Sequence, residues 1–189
     1  ISGGQRRDWL FSGPVAELLE LPHFALYKNG NIEVRFPHQR YPHRSLGEEG
    51  IETSVSTRLG SILRNNSLLH IVDLITEGSS IYRVEDEQPQ GWVPMIRKYH
   101  GNVPNLIAVV SRKQGGEENL AAHGVIVHPF VTIDEPFLRQ YSHQPERAAS
   151  YFKNPKQWSE SYLQENGTDA LMTTFNPIAG KLDRARKFI

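Results

Sequence analysis

The chain has 189 residues, 38% of them hydrophobic, with 21 basic against 21 acidic side chains and no cysteine. That size suits one α/β domain around one main core, and the balanced charge points to neither nucleic acid nor anionic lipid. No apolar run approaches the roughly 20 residues of a membrane span, and zero cysteines exclude disulfides, Cys-ligated zinc and thiol catalysis, in keeping with a reducing cytoplasm.

Ile1 already lies in a strand pattern with no initiator Met and no secretory leader, so a preceding part of the natural protein is expected. Ile-Ser-Gly-Gly-Gln-Arg-Arg-Asp-Trp then reads as a strand end, a glycine turn and two cations ahead of a helix. Phe11 to Leu21 carries Val15, Ala16, Leu18 and Leu19, with Pro14 in the first turn, where a missing N–H costs little. His23 to Tyr27 is a second strand, closed by Lys28-Asn29-Gly30. Residues 29–52 show little apolar periodicity, as a functional flap or a disordered connection would. Thr57 to Asn66 is the helical lead-in to the next strand.

Residues 68–80, Leu-Leu-His-Ile-Val-Asp-Leu-Ile-Thr-Glu-Gly-Ser-Ser, are the most informative segment. Their apolar run suits a central parallel strand covered on both faces. Asp73 falls near its C-terminal end, where open α/β sheets place ligands. Thr76, Gly78, Ser79 and Ser80 supply hydroxyls and backbone N–H groups ahead of a helix, an anion site. Ile81 to His100 reads as helical in pieces, broken by Pro89, Gly91 and Pro94. Leu106 to Val110 is a third buried strand, and Gly115 to His123 a short helix capped by Gly124. Val125 to Phe130 is the next strand, and Thr132-Ile-Asp-Glu opens a helix with acids in its first turn. From Ser142 the chain turns polar and reads as two helices, the second closed by Lys181 to Lys187. The alternation predicts an open, mostly parallel sheet with helices on both faces, over residues 1–142, and a helical C-terminal segment over 143–189.

Three segments in this order resemble the type I phosphoribosyltransferases, most closely their orotate branch. Leu68 to Ser80 is similar to the diphosphate-sugar motif of apolar residues, paired acids and a Thr-Thr-Gly-x-Ser loop. Ala108 to Ala121 resembles the branch's Asp-Arg-x-x-Gly-Gly segment. Gly-Gly, Pro-Val-Ala, Leu-Pro-His and Tyr-Lys over residues 3–28 make the third match.

The resemblance implies transfer of phosphoribose from phosphoribosyl diphosphate, with Mg²⁺, to a pyrimidine base such as orotate. It assigns Arg6, Arg7 and Lys28 to the phosphates, with Thr76, Glu77, Gly78, Ser79 and Ser80 as the phosphate loop. Asp73 takes the ribose hydroxyls or a hydrated Mg²⁺, and Arg112 the base carboxylate. The 29–52 segment becomes the flap that in the family often comes from the partner of a homodimer, with Arg40 and Arg44 standing in for its lysine.

The chain also departs from the pattern. Val72 stands at the first of the paired acids, Glu77 at the second loop Thr, and Ser111 at the acid before Arg112. Glu77 is expected to face a cation such as Arg83 on the following helix, or Mg²⁺ through water. The alternative reading is a catalytically degenerate relative that binds a nucleotide or phosphosugar as a regulator.

Overall fold

The computed structural model describes residues 1–37, 60–64 and 66–166. Arg40, Arg44, most of the expected flap and the 181–187 helix end lie outside them. The chain divides into two compact units after Ile133.

The first unit is built on a six-stranded sheet. Its strands are β1 (Ser2–Gly4), β2 (His23–Leu26), β3 (Ile32–Arg35), β4 (Ser67–Ile75), β7 (Asn102–Ser111) and β8 (Ile126–Thr132), in the order β3-β2-β1-β4-β7-β8. All pairings are parallel except that of β2 with β3. This is the mostly parallel sheet the sequence predicts. Strand order reverses between β1 and β4, and at such a switch point adjacent crossovers leave opposite faces and open a crevice over the strand ends.

Alternation along β4 shows the two covered faces. Leu68 and Val72 join a core with Trp92, Val93 and Ile96 of helix α2 (Trp92–Lys98) and Leu120 of α3 (Gly116–Ala122). Leu69 and Ile71, one residue out of phase, pack with Val15 and Ala16 of α1 (Trp9–Leu18). Leu68, Ile71, Val72 and Ile75 are each no more than 4% exposed, so this strand is inside on both sides.

Three expectations are corrected. The α1 helix begins at Trp9, which leaves Pro14 in its interior and not in its first turn. Residues 29–52 are not unbroken connection, because Ile32–Arg35 pairs antiparallel with β2. Ile81 to His100 is helical only from Trp92; before it, β5 (Arg83–Glu85) and β6 (Gln88–Gln90) form a hairpin. Its two loop residues, Asp86 and Glu87, have φ of 49° and 62°, the left-handed pair that suits a two-residue hairpin.

The second unit, which begins at Asp134, contains α4 (Glu135–Tyr141), α5 (Pro145–Lys153) and α6 (Pro155–Asn166). Asp134 caps α4 by accepting from the Phe137 N–H at 2.9 Å. Arg139 bridges Glu135, at 2.8 Å, and Glu146, joining α4 to α5. Among the described residues no helix is long and apolar enough to cross a membrane.

Candidate functional site

The site grows from the ends of β1 and β4, the two strands at the switch point. Gly3 and Gly4 end β1 between α1 and α2. A Cβ on Gly3 would lie 2.2 Å from Ser12 Oγ, and one on Gly4 2.3 Å from Trp92 Nε1. Only glycine lets this turn lie between the two helices. The turn continues through Gln5, whose side-chain oxygen accepts the Lys28 N–H at 3.2 Å, and so ties it to the end of β2. Trp9 closes the other side, donating from Nε1 to the Gly3 carbonyl at 2.9 Å.

Asp8 joins the two strands. Its Oδ2 accepts the Gly4 N–H at 3.1 Å and its Oδ1 the Asp73 N–H at 3.0 Å. Burial, with the neighbouring Asp73 charge adding to it, pushes the Asp8 carboxyl up to about 7 against the pull of those two N–H groups. The Asp73 carboxylate meets Arg7 Nε at 2.9 Å, with Arg7 75% exposed and Asp73 20%. Arg6 is exposed beside it.

The loop after β4 turns on Gly78, φ +75°. Its amides from Glu77 to Ser80 donate to no other described residue; Glu77, Ser79 and Ser80 are exposed, while Gly78 is buried against Gly116. The loop is held from the side of the next strand end, since the Gly116 N–H reaches the Thr76 carbonyl at 3.0 Å and the Arg112 N–H the Ile75 carbonyl at 2.9 Å. Arg112 therefore sits beside the 76–80 loop by backbone anchorage. Ser111 donates to Glu117 Oε1 at 2.5 Å, and Lys113 Nζ meets Glu117 Oε2 at 2.5 Å. Burial works against ionisation there, but the bonds from Lys113 and Ser111 outweigh it and hold Glu117 below the usual carboxylate value.

On the other side Lys28, Ser79 and Ser80 line a cleft of about 1170 Å³, together with Trp92, Arg97 and Lys98 of α2; no carboxylate is among its lining residues.

Two sequence expectations about the loop do not hold. A hairpin follows it, not a helix, so backbone amides and not a helix dipole are what it offers an anion. Arg83 does not serve Glu77: it pairs with Glu85 at 2.9 Å and donates to the Ser79 carbonyl at 3.3 Å. Glu77 is exposed and has no partner among the described residues.

The structure thus gathers Arg7, Asp73, Thr76 to Ser80 and Arg112 at adjoining strand ends, with Lys28 tied to the same turn. Asp8 was missed by the sequence reading. Its one local signal is an acid four residues beyond Gly4, and its partner Asp73 is distant in the chain.

No family model matches the chain. It is 33% identical to the orotate phosphoribosyltransferase of Methanococcus maripaludis over 76 residues, 40% of this chain and 37% of that protein. It is 26% identical to the adenine phosphoribosyltransferase of Actinobacillus succinogenes over 135 residues, 71% of this chain and 67% of that one. The crystal structure of the Aeropyrum pernix orotate phosphoribosyltransferase shares a TM-score of 0.47 and 17% identity, over 74% of this chain and 61% of that one. Over part of its length the chain is thus similar to phosphoribosyltransferases of two kinds, one named for orotate and one for adenine.

Proposed function

We propose that the protein transfers phosphoribose from phosphoribosyl diphosphate to a pyrimidine base such as orotate, releasing diphosphate. One observation carries the reading: Arg7, Asp73 and the amides of Glu77 to Ser80 meet at the ends of two adjacent parallel strands. A substrate with phosphate at one end, diphosphate at the other and ribose between needs donors, cations and a carboxylate in that arrangement.

The loop amides take the 5′-phosphate, and Arg6, Arg7 and Lys28 neutralise the diphosphate as it leaves with the bonding electrons from ribose C1. Asp73 orients the ribose hydroxyls. Arg112 offers its guanidinium fork to the base carboxylate, so that a base nitrogen attacks C1 and gives up its proton to solvent.

Among the described residues no group of three or more His, Asp or Glu forms a metal cage. Asp73 alone suits Mg²⁺, which takes one or two carboxylates and fills its sphere with substrate oxygens and water. Bound there with the diphosphate, Mg²⁺ would add charge neutralisation.

A homodimer whose partner supplies the flap, with Arg40 and Arg44 on it, belongs to the same reading. The second reading is a regulator that binds a phosphosugar or nucleotide without turnover; Glu77, exposed on the loop, weighs against tight phosphosugar binding in either reading. The test is a mass-spectrometric screen with phosphoribosyl diphosphate, Mg²⁺ and bases that include orotate and adenine. A nucleotide from orotate supports the proposal. A nucleotide from adenine alone moves the chain to the other branch, and binding without product supports the regulator.

A further inference from the structure

We infer that Asp8 is a positioning residue that sets the spacing between the diphosphate turn and the ribose-binding acid; the inference rests on the proposed reading of that site. Asp8 stands at the N-cap position just before α1, yet its side chain does not cap the helix. An acid at a helix start ordinarily accepts from the second or third N–H of its own helix. Here both oxygens are turned to the sheet and spent on two strands, Gly4 of β1 and Asp73 of β4.

These strands are joined only loosely otherwise. Their ladder registers at Ser2 and His70, short of the ends where the substrate groups sit. Beyond that pair, the described link between the ends of β1 and β4 that does not involve an exposed side chain is the Asp8 carboxylate. Asp8 is 8% exposed, so water does not readily replace it. In its ionised form, which prevails above about pH 7, the carboxyl has the right chemistry, since it is then acceptor-only and meets two N–H donors at once, one on each oxygen. An amide of the same shape fails on one side, because its NH₂ faces a donor. Asp8 touches neither phosphate nor ribose in this account. It acts through the backbone of Gly4, which leads into Arg6 and Arg7, and through the backbone of Asp73.

The experiment uses Asp8→Asn, which keeps the shape, and Ser12→Ala as a control. Ser12 is buried on the same helix against the Gly3 backbone and bonded to His23 at 2.8 Å, but its hydroxyl makes no bond to Gly4 or Asp73. Proton–nitrogen NMR reads the Gly4 and Asp73 amides, calorimetry reads affinity for phosphoribosyl diphosphate with Mg²⁺, and kinetics reads KM for each substrate. Asp8→Asn is expected to stay folded, to shift those two amides while distant ones hold, and to weaken phosphosugar affinity about tenfold. It should raise KM for phosphoribosyl diphosphate and leave KM for the base alone. Ser12→Ala should lower thermal stability without moving either constant. If Asp8→Asn shifts the two amides but binds as the wild type does, the positioning role is overturned and the transferase reading stands. If the wild type binds neither inorganic diphosphate nor phosphoribosyl diphosphate, the transferase reading is overturned and the role falls with it.

Discussion

Arg7 Nε lies 2.9 Å from the Asp73 carboxylate, so the groups assigned to diphosphate and to ribose are also each other's counter-ions. Arg7 is 75% exposed, and an ion pair this open to water is worth at most about 1 kcal/mol to the fold. The same guanidinium against a diphosphate makes charge-assisted hydrogen bonds worth roughly 1.5–3 kcal/mol. Arg7→Ala should therefore lower the melting temperature little, yet weaken phosphoribosyl diphosphate binding about ten- to a hundredfold. Parallel melts and calorimetry check this. A variant that melts much earlier but binds normally would make the pair structural and remove Arg7 from the site.

Glu77 now carries a definite sign. Had Arg83 faced it, removing the carboxylate would have left a cation behind. Because Arg83 is committed to Glu85 and the Ser79 carbonyl, Glu77 stands with no cation among the described residues. A unit charge about 4 Å from a phosphate charge costs roughly 4 kcal/mol at an effective dielectric near 20, and exposure to salt reduces that severalfold. Glu77→Thr should tighten phosphosugar binding about tenfold at low salt, with the gain shrinking as salt rises. Unchanged or weaker binding at low salt would mean that the carboxylate points away or helps hold the metal.

The parts of this site legible in the sequence are those written as local pattern. The apolar run at Leu68–Ile75 marks a strand buried on both faces, Gly78 marks a turn, and the Gly3-Gly4 pair marks a close backbone approach. The β5–β6 hairpin is not so marked. Its turn places Asp86 and Glu87 at positive φ, where glycine or asparagine would have announced it, and Pro89 in a strand. Asp8 was hidden for another reason. Its two bonds join segments that meet only once the sheet is assembled, and an acid before a helix reads by itself as a cap.

Stability should fall steeply on mild acidification. His70 is fully buried with Nδ1 at 2.9 Å from Ser2 Oγ, and burial lowers it to about 3; burial likewise lowers His23 to about 4. In the unfolded chain both titrate near 6.5, so below that pH the unfolded state binds protons the fold refuses. Stability is then full above about 6.5 and is lost as pH drops towards about 4 and below. Asp8 works the other way: its folded value near 7 means its contribution is present below the ordinary carboxylate range and is lost as pH rises through 7. Two protons against one leave the histidines in control between about pH 4 and 6.5. Melting temperature should rise across that window and level near neutrality. His70→Asn, whose amide oxygen stands where Nδ1 does, should flatten the slope; a wild-type melt that is level from pH 4 to 6.5 would show that these histidines do not set it.

Replacing Arg112 tests whether the proposed acceptor carries a carboxylate. The Arg112 N–H holds the Ile75 carbonyl, so the residue stays beside the 76–80 loop whatever its side chain does. A guanidinium at that place suits an acceptor that carries a carboxylate and gives nothing comparable to adenine, which has none. Truncation to Arg112→Ala keeps the backbone bond and removes the fork. With orotate as acceptor, KM for the base should rise about ten- to a hundredfold while affinity for phosphoribosyl diphosphate stays within about twofold. With adenine as acceptor, the same variant should leave KM unchanged. An equal loss of base and phosphosugar would instead show that Arg112 supports the loop itself, and the acceptor would have to be read from other residues.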